Sequence, residues 1–232
     1  MEKFVAIITA RGGSKRIPRK NIKNFIDKPI MAYSIIAALE SGIFDEVMVS
    51  TDDLEIAEVA KQYGAVVPFM RSKENSDDFS DTNDVLKEVI KVYESQGRKF
   101  EYMCCIYPCA PFVTPEKIKK ALKLLEETDA DSVIPVAEYN YPVWRSYHLD
   151  ENSKVTFNWP EYAPKRSQDI PPVYHDCGQY YCMRVENFMQ KGRIQTDNTI
   201  GIVTSSLEVQ DIDNEDDWRL AELKYSFLQN RK

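Results

Sequence analysis

Short apolar runs alternate with amphipathic segments of helical period through the first 136 residues, and this order restricts the fold more than any other feature. The runs that read as buried strands are FVAIIT (4–9), EVMVST (46–51), YMCCIY (102–107) and DSVIPV (131–136). The segments between them that read as helices run from Pro29 to Gly42, from 54 to Gly64 with Asp52 or Asp53 as the cap, from 82 to Gly97, and onward from Thr114-Pro115. Strands that alternate with helices in this way predict a doubly wound, mostly parallel sheet with helices on both faces, a Rossmann-like α/β fold.

The alternation breaks between residues 138 and 173. This segment is rich in proline, carries Trp144 and Trp159, and has no helical period. We expect it to project from the sheet as a β excursion that serves as a lid or as a dimer contact, inserted in a single domain that spans residues 1–232. Beyond it, GQYYCMRV (178–185) resumes the sheet, GIVTS (201–205) and EVQDI (208–212) predict short strands, and NEDDWRLAELKYSFLQ (214–229) predicts a closing helix.

Composition excludes several classes of protein. The net charge of −7 argues against a nucleic-acid binder, which normally presents a basic face. The apolar stretch at the N-terminus is too short for a secretory signal, and no apolar run approaches the roughly 18 residues of a membrane helix, so we expect a cytoplasmic protein with no membrane partner. The five cysteines form no C-x-x-C pair, which favours buried thiols over a zinc or redox site.

A basic segment, ARGGSKRIPRKN (10–21), follows the first strand directly. In a parallel sheet, ligands bind beyond the carboxyl ends of the strands. Gly12 and Gly13 allow the backbone to approach a ligand closely, and the segment adds positive charge from Arg11, Lys15, Arg16, Arg19 and Lys20. The spacing is neither a Walker P-loop nor a G-x-G-x-x-G dinucleotide fingerprint. We therefore expect this segment, called the basic loop below, to bind a polyphosphate.

A pair of carboxylates, Asp211 and Asp213, lies near the C-terminus. In an extended segment, residues two apart point to the same side, so both can face one ion. Mg²⁺ prefers hard oxygen ligands, often one or two carboxylates with substrate phosphates. The alternative is that Asp213 or Asn214 only caps the closing helix.

Several segments together resemble one family. These are A-R-G-G-S-K-R-I-P-x-K-N in the basic loop, Arg71 in FMRSKENSDD, YPCAPFVTP (107–115), KRSQDIPPVYHDCGQYY (165–181) and EVQDIDNEDDW (208–218). They are similar to the corresponding segments of the sugar-acid cytidylyltransferases, the CMP-sialic acid synthetase family, and among its members the likeness is greatest to pseudaminic acid cytidylyltransferases.

The resemblance implies a Mg²⁺-dependent enzyme that transfers CMP from CTP to the anomeric hydroxyl of a nine-carbon keto-sugar acid and releases pyrophosphate. It implies that Arg11 and Lys15, with Gly13 and Ser14, hold the triphosphate and that Lys20 neutralises charge at the reacting phosphate. By the same match, Asn21 and Arg71 would read the cytosine, Ser80 or a neighbour would lie near the ribose, and Asp211 and Asp213 would hold the metal. It further implies a homodimer formed through the excursion.

The residues that would contact the sugar match the family pattern in part. Arg166, Gln168 and Asp169 match the segment that contacts the sugar acid, whereas His175 and Asp176 depart from the family pattern, with His175 either a base or a hydrogen-bond partner. Tyr107 stands where sialate enzymes usually have glutamine, and Phe112-Val113 where they have Leu-Arg. These less polar residues favour pseudaminic acid over N-acetylneuraminic acid, legionaminic acid or Kdo. A non-catalytic nucleotide sensor is the alternative of another class.

Overall fold

The computed structural model describes residues 2–76 and 80–230. The strands are β1 (Glu2–Thr9), β2 (Asn24–Phe25), β3 (Lys28–Pro29), β4 (Glu46–Ser50), β5 (Phe100–Ile106), β6 (Ser132–Glu138), β7 (Tyr147–Leu149), β8 (Val155–Phe157), β9 (Tyr174–Asp176), β10 (Tyr180–Arg184) and β11 (Thr199–Val203). The helices are α1 (Ile30–Ser41), α2 (Leu54–Gln62), α3 (Thr82–Ser95), α4 (Pro115–Glu127), α5 (Val185–Lys191) and α6 (Glu215–Gln229).

One sheet runs through the molecule in the order β11-β6-β10-β5-β1-β4, with β9 paired to the carboxyl end of β6. The pairs β1–β4, β1–β5 and β6–β11 are parallel. Strand β10 lies antiparallel between β5 and β6 and joins the two parallel parts. The doubly wound, mostly parallel α/β fold predicted from the sequence is confirmed.

Alternate residues of the central strands face opposite layers of helices. Ala6 and Ile8 of β1 pack into the cluster that includes residues of α1, α2 and α4. Val5 and Ile7 pack into the cluster formed with α3 and α5. Because both faces are covered, β1 is apolar at every position from Phe4 to Ile8 rather than alternating with polar residues.

The helix ends follow the chemistry read from the sequence. Asp53 caps α2 by accepting from the Ile56 amide, and Thr114 caps α4 by accepting from the Lys117 amide. Asn214 caps α6 in a capping box with Asp217, so capping does not occupy Asp213. Cys104, Cys105, Cys177 and Cys182 are buried free thiols, as predicted, while Cys109 is half-buried.

One expectation about the strands was wrong. EVQDI (208–212) is no strand: Ser206–Glu208 is a 3-10 turn, and the residues after it make no sheet pairing in the described structure. The run VVPFM (66–70) contributes only an isolated bridge between Val66 and Met48, since Pro68 cannot donate a ladder hydrogen bond. The excursion is a short hairpin of β7 and β8 with 3-10 turns around it, held by the stacked rings of Trp144 and Tyr162, whose centroids are 5.2 Å apart.

No helix among the described residues is both long enough and apolar enough to span a membrane.

Arg184, the last residue of β10, ties the sheet to the end of α4. Its Nη2 donates to the carbonyls of Leu125 (2.8 Å) and Thr128 (2.7 Å), and its Nε donates to the carbonyl of Ala130 (3.1 Å). Its Nη1 donates to the Tyr102 hydroxyl at 3.0 Å. The guanidinium thus satisfies carbonyls that the helix leaves unpaired and places positive charge at the helix C-terminus.

We expect Arg184→Met to lower the free energy of unfolding by about 2–4 kcal/mol, because several buried acceptors lose a charged donor. Arg184→Lys should recover less than half of this loss, since an ammonium cannot fork between two carbonyls. Urea unfolding measures both. Arg219→Met is the control: Arg219 is 75% exposed with one ion pair of 3.8 Å, and its loss should change stability by less than about 0.5 kcal/mol. A similar small change for Arg184→Met would contradict the proposed anchoring.

Candidate active site

The basic loop leaves β1 at the carboxyl edge of the sheet and is held against the end of β4. The Gly12 amide donates to Asp52 Oδ1 at 2.9 Å. A Cβ on Gly12 would lie 2.8 Å from Asp53 Oδ2, whereas a Cβ on Gly13 would meet no atom within 4 Å. The first glycine of the pair is therefore required by close packing, and the second faces open space.

Arg19 closes the other end of the basic loop in a left-handed conformation, with φ of 55°. Its guanidinium hydrogen-bonds Asp53 and also pairs with Glu55 at 2.5 Å. The contact with Arg19 lowers the pKa of the Asp53 carboxyl to about 2, against an opposing effect of burial. Arg19 is thus a structural cation that fastens the loop to the start of α2.

Asn21 is buried and fastens the loop from inside. Its Nδ2 donates to the Arg11 carbonyl at 2.8 Å, and its Oδ1 accepts from the Cys109 thiol at 3.3 Å. The side-chain amide thus links the basic loop to the segment that follows β5. Burial raises the pKa of the Cys109 thiol to about 12, so it stays protonated and able to donate.

The segment around Asp211 and Asp213 forms the facing wall. Ile212 between them is buried, so the two carboxylates lie on the same side, as the i, i+2 spacing predicts. Lys20 Nζ donates to the Ile212 carbonyl at 2.7 Å, and Arg16 pairs with Asp213 at 2.7 Å. Burial and the neighbouring Asp213 raise the pKa of Asp211, with Lys20 opposing them.

Between these walls lies a trough of three adjoining pockets. The loop pocket, about 410 Å³, is lined by the basic loop and the aspartate segment: Thr9, Arg11, Ser14, Lys15, Arg16, Lys20, Asn21, Tyr107, Pro108, Cys109, Gly178, Gln210, Asp211, Ile212 and Asp213. The middle pocket, about 410 Å³, is lined by Thr9, Arg11, Arg71, Asn75, Ser80, Asp81, Thr82, Val85, Tyr107 and Pro108. The third pocket, about 400 Å³ and called the far arm below, shares Asp81, Thr82 and Tyr107 with the middle pocket. Tyr107 therefore stands at the junction of all three.

Arg71 is buried at the base of the middle pocket. Its Nε donates to the Ser50 hydroxyl at 3.1 Å and its Nη2 donates to the Ser50 carbonyl at 2.6 Å. Burial lowers its pKa, and the carboxylates of Asp52 and Glu88 oppose that effect from a distance. Ser80 lines the same pocket and donates to the Glu74 carbonyl at 2.7 Å.

Tyr107 continues the line of β5 and is itself positioned by two neighbours. Its hydroxyl lies 3.1 Å from the Thr82 hydroxyl, and its ring packs edge-on against Tyr181 with centroids 5.2 Å apart. Burial raises the pKa of Tyr107, so the neutral phenol is the form presented to the trough.

Several residues predicted to contact the sugar lie elsewhere in the described structure. Arg166, Gln168 and Asp169 are on the exposed excursion, where Arg166 pairs with Asp169 at 3.2 Å, and none of the three lines the trough. His175 lies in β9, with its ring 4.8 Å from that of Tyr139 and its Nδ1 2.8 Å from the Asp176 carbonyl. It does not line the trough either.

Phe112 and Val113 are core residues. Phe112 packs with Ile17 and Trp218, and Val113 packs in the cluster below α1 and α4. Neither lines any of the three pockets, so the expectation that they shape the sugar site was wrong. Their apolar character follows from burial beneath the helix layer rather than from a ligand.

Sequence reasoning missed several residues of the trough. Thr9 and Pro108 could have been found, because they directly follow β1 and β5 and ligands bind at that edge. Asp81, Thr82, Arg193 and Gln195 carried no such signal, since the fold brings them to Tyr107 from distant parts of the chain.

Comparison with known proteins identifies the family of this chain. A family model described as cytidylyltransferase matches residues 5–212. The chain is 39% identical over 223 residues to a pseudaminic acid cytidylyltransferase of Campylobacter jejuni, covering 96% of each chain. It is 32% identical to a CMP-N,N'-diacetyllegionaminic acid synthase of Legionella pneumophila, covering 95% of each.

A solved structure of CMP:2-keto-3-deoxy-manno-octonic acid synthetase complexed with CTP superposes with a TM-score of 0.68 at 17% identity, covering 98% of this chain and 99% of that one. At that identity the likeness shows the shared fold. The resemblance inferred from the sequence segments is confirmed by the family match and by the identity over nearly the whole chain. This chain belongs to the cytidylyltransferase family and is a cytidylyltransferase.

Proposed function

We propose that this enzyme transfers CMP from CTP to the anomeric hydroxyl of pseudaminic acid and releases pyrophosphate. The observation that carries the proposal is the loop pocket, in which the cations of the basic loop face Asp211 and Asp213 across one cavity. The names of the relatives support the choice of sugar, because two proteins of Campylobacter jejuni at 39% and 38% identity are pseudaminic acid cytidylyltransferases.

The reaction needs positioning and charge neutralisation more than covalent chemistry from the protein. The sugar hydroxyl loses its proton to water as its oxygen attacks the α-phosphorus of CTP, the bond from that phosphorus to the bridging oxygen breaks, and pyrophosphate leaves with the bonding electrons. We assign Arg11 and Lys15 to the triphosphate, with the backbone of Gly13 and Ser14 beside it. Lys20, held near the aspartate segment by its bond to the Ile212 carbonyl, faces the reacting phosphate.

The base is assigned to the middle pocket. Arg71 is buried there with its guanidinium held by Ser50, which suits a donor that must present one fixed edge. Ser80 lines the same pocket and is assigned to the ribose side. Asn21 lines the loop pocket and not the middle pocket, and its amide nitrogen and oxygen each make a contact that holds the basic loop, so it is assigned to the loop rather than to the cytosine.

Asp211 and Asp213 fit a Mg²⁺ ion. The donors are hard carboxylate oxygens on one side of an extended segment, and Asp211 is a carboxylate whose charged form is disfavoured by burial and by its neighbour. No cluster of three or more metal-ligating side chains occurs among the described residues, so substrate phosphates would complete the coordination. When bound, Mg²⁺ would polarise the α-phosphate and offset its charge. A sensor of free nucleotide has little need of two carboxylates facing the phosphates, which favours the enzyme.

We predict that Asp211→Asn and Asp213→Asn each lower kcat by at least about a hundredfold at saturating Mg²⁺, because each removes a full charge from the metal site. Pyrophosphate release measures turnover, and circular dichroism confirms that the variants are folded. Asp216→Asn is the matched control, since Asp216 lies in the first turn of α6 and does not line the loop pocket. Near-native turnover of both variants would exclude these residues as metal ligands.

Preference for the sugar is assigned mainly to Tyr107. Its ring can pack a methyl group while its hydroxyl offers one hydrogen bond. Pseudaminic acid carries a terminal methyl and an acylamino group where sialic acid carries a hydroxyl-rich tail. A sugar hydroxyl buried against an apolar surface without a partner costs about 1–3 kcal/mol.

The decisive experiment is a panel of sugar acids with CTP, assayed for pyrophosphate. We predict that kcat/KM for pseudaminic acid exceeds that for N-acetylneuraminic acid by at least about tenfold, which is the discrimination expected from the loss of one hydrogen bond.

Replacing CTP by UTP should abolish most turnover, because a buried donor left unpaired rejects the wrong base. Equal rates with N-acetylneuraminic or legionaminic acid would reassign the sugar, and equal rates with UTP would exclude the assigned base pocket.

We further propose that the excursion joins two copies of the chain. Tyr141 is 86% exposed and Tyr147 is 53% exposed, and a groove of about 550 Å³ lies beside Tyr139 and Tyr141. Aromatic side chains are enriched in interface cores. Such a dimer would also offer a route by which Arg166, Gln168 and Asp169 of one copy could reach the trough of the other.

Light scattering at micromolar concentration should therefore give twice the chain mass of 26.8 kDa. Tyr141→Glu together with Tyr147→Glu should shift the protein toward the monomer, because both charges would be buried in the interface. A monomeric mass for the unmodified protein would exclude this dimer.

A further inference from the structure

The far arm of the trough has no part in the proposed binding of CTP. Its lining residues are Asp81, Thr82, Asn83, Tyr107, Asp176, Tyr181, Arg193, Ile194 and Gln195. Of these, only Tyr107 also lines the loop pocket. A molecule in the far arm must therefore pass Tyr107 to reach the phosphate-binding end of the trough.

Arg193 enters the far arm from a backbone that is anchored on both sides. The Ile194 amide donates to Asn83 Oδ1 at 3.0 Å, and the Ile194 side chain is buried in the core. Two residues later, the Thr196 hydroxyl donates to the buried carboxylate of Asp131, which also accepts from Lys191. These contacts fix the position of the segment from 191 to 196, and Arg193 and Gln195 of this segment line the cavity.

The guanidinium of Arg193 is exposed, and within residues 2–76 and 80–230 it makes no hydrogen bond or ion pair. The other arginine side chains that line the trough are Arg11, Arg16 and Arg71, and each of them interacts with other residues. Arg193 therefore adds donors to the far arm that the described part of the fold does not use.

Asp176 supplies hydrogen-bond acceptors in the same cavity. Its Oδ1 accepts from the Gly178 amide at 2.9 Å, and its two oxygens accept from the Tyr181 hydroxyl at 3.1 and 3.0 Å. Gln195 Nε2 lies 3.4 Å from Oδ2. These contacts orient the carboxylate, which still has acceptor capacity because a carboxylate offers about four lone-pair sites.

A donor-only group and an acceptor-only group in one cavity match a secondary amide, which presents one carbonyl and one N–H. The reacting hydroxyl must lie at the phosphate end, so the arm beyond Tyr107 receives the part of the sugar acid remote from the anomeric carbon. We infer that the far arm binds an acylamino substituent of the sugar acid, with Arg193 donating to the acyl carbonyl and Asp176 accepting from the amide N–H. This inference rests on the proposed function and adds two specificity-determining residues to it.

The test compares pseudaminic acid with its de-N-acylated amine, each assayed with CTP. The unmodified enzyme should prefer the acylated sugar by at least about tenfold in kcat/KM, the value of one hydrogen bond to a charged donor. Arg193→Ala should reduce that preference to less than about threefold by raising the KM for the acylated sugar. The KM for CTP and kcat should change by less than about twofold, because Arg193 touches neither the nucleotide nor the reacting atoms.

Matched variants separate this role from a structural one. Arg193→Lys should recover part of the preference, since an ammonium still donates to a carbonyl, and Asp176→Asn should also weaken it. Arg219→Ala removes an exposed arginine outside the trough and should leave both KM values unchanged. Unchanged preference in Arg193→Ala would overturn the inference, and so would a rise in the KM for CTP alone, which would place Arg193 at a phosphate.

Failure of the proposed function has a different signature. In that case the unmodified enzyme would release no pyrophosphate from CTP with pseudaminic acid, and the inference would fall with it. In every outcome that overturns the inference alone, the unmodified enzyme is active.

Discussion

The cations of the basic loop would repel one another on a free chain, and the structure depends on the carboxylates that hold them in place. Arg19 is fastened by Asp53 and Glu55, and Arg16 is fastened by Asp213. Asp53 and Glu55 come from the start of α2, whereas Asp213 comes from the segment just before α6. The same ion pairs therefore shape the loop, join it to α2 and to the aspartate segment, and leave a cavity between them.

The fold could be predicted from the sequence because its signals are local. The apolar runs and their spacing gave β1, β4, β5 and β6, and the caps at Asp53 and Thr114 were visible as residue types in the right places. The antiparallel placement of β10 was not visible, since nothing local distinguishes an antiparallel buried strand from a parallel one. The error at 208–212 has the same origin: an apolar and polar alternation describes an extended chain whether or not a neighbouring strand is there to pair with it.

The site was predictable in part, and for a physical reason. Charged residues on one continuous loop, or two apart on one extended segment, can be read as a group, and the loop pocket contains both sets. Arg193 and Asp176 could not be read in this way, because their meeting depends on how α5 and β9 pack beside Tyr107. Asn21 shows the opposite case. The family match assigned it a ligand contact, and the structure adds that both ends of its amide make contacts within the protein.

The order of strands in the sheet has a consequence for how the chain is made. Strand β1 pairs with β4 and β5, so the N-terminal part of the sheet can assemble as soon as residue 106 has left the ribosome. The neighbours of β6 are β9, β10 and β11, and all of them come later in the chain. During synthesis, β6 and the aromatic excursion after it are therefore made before any strand that pairs with β6. Until those strands follow, both edges of β6 are unpaired, and an exposed apolar edge of this kind can pair wrongly with other chains. The part of the sheet around β6 is thus completed only after residue 203 has been made, which makes it the part of this protein most exposed to mispairing during synthesis.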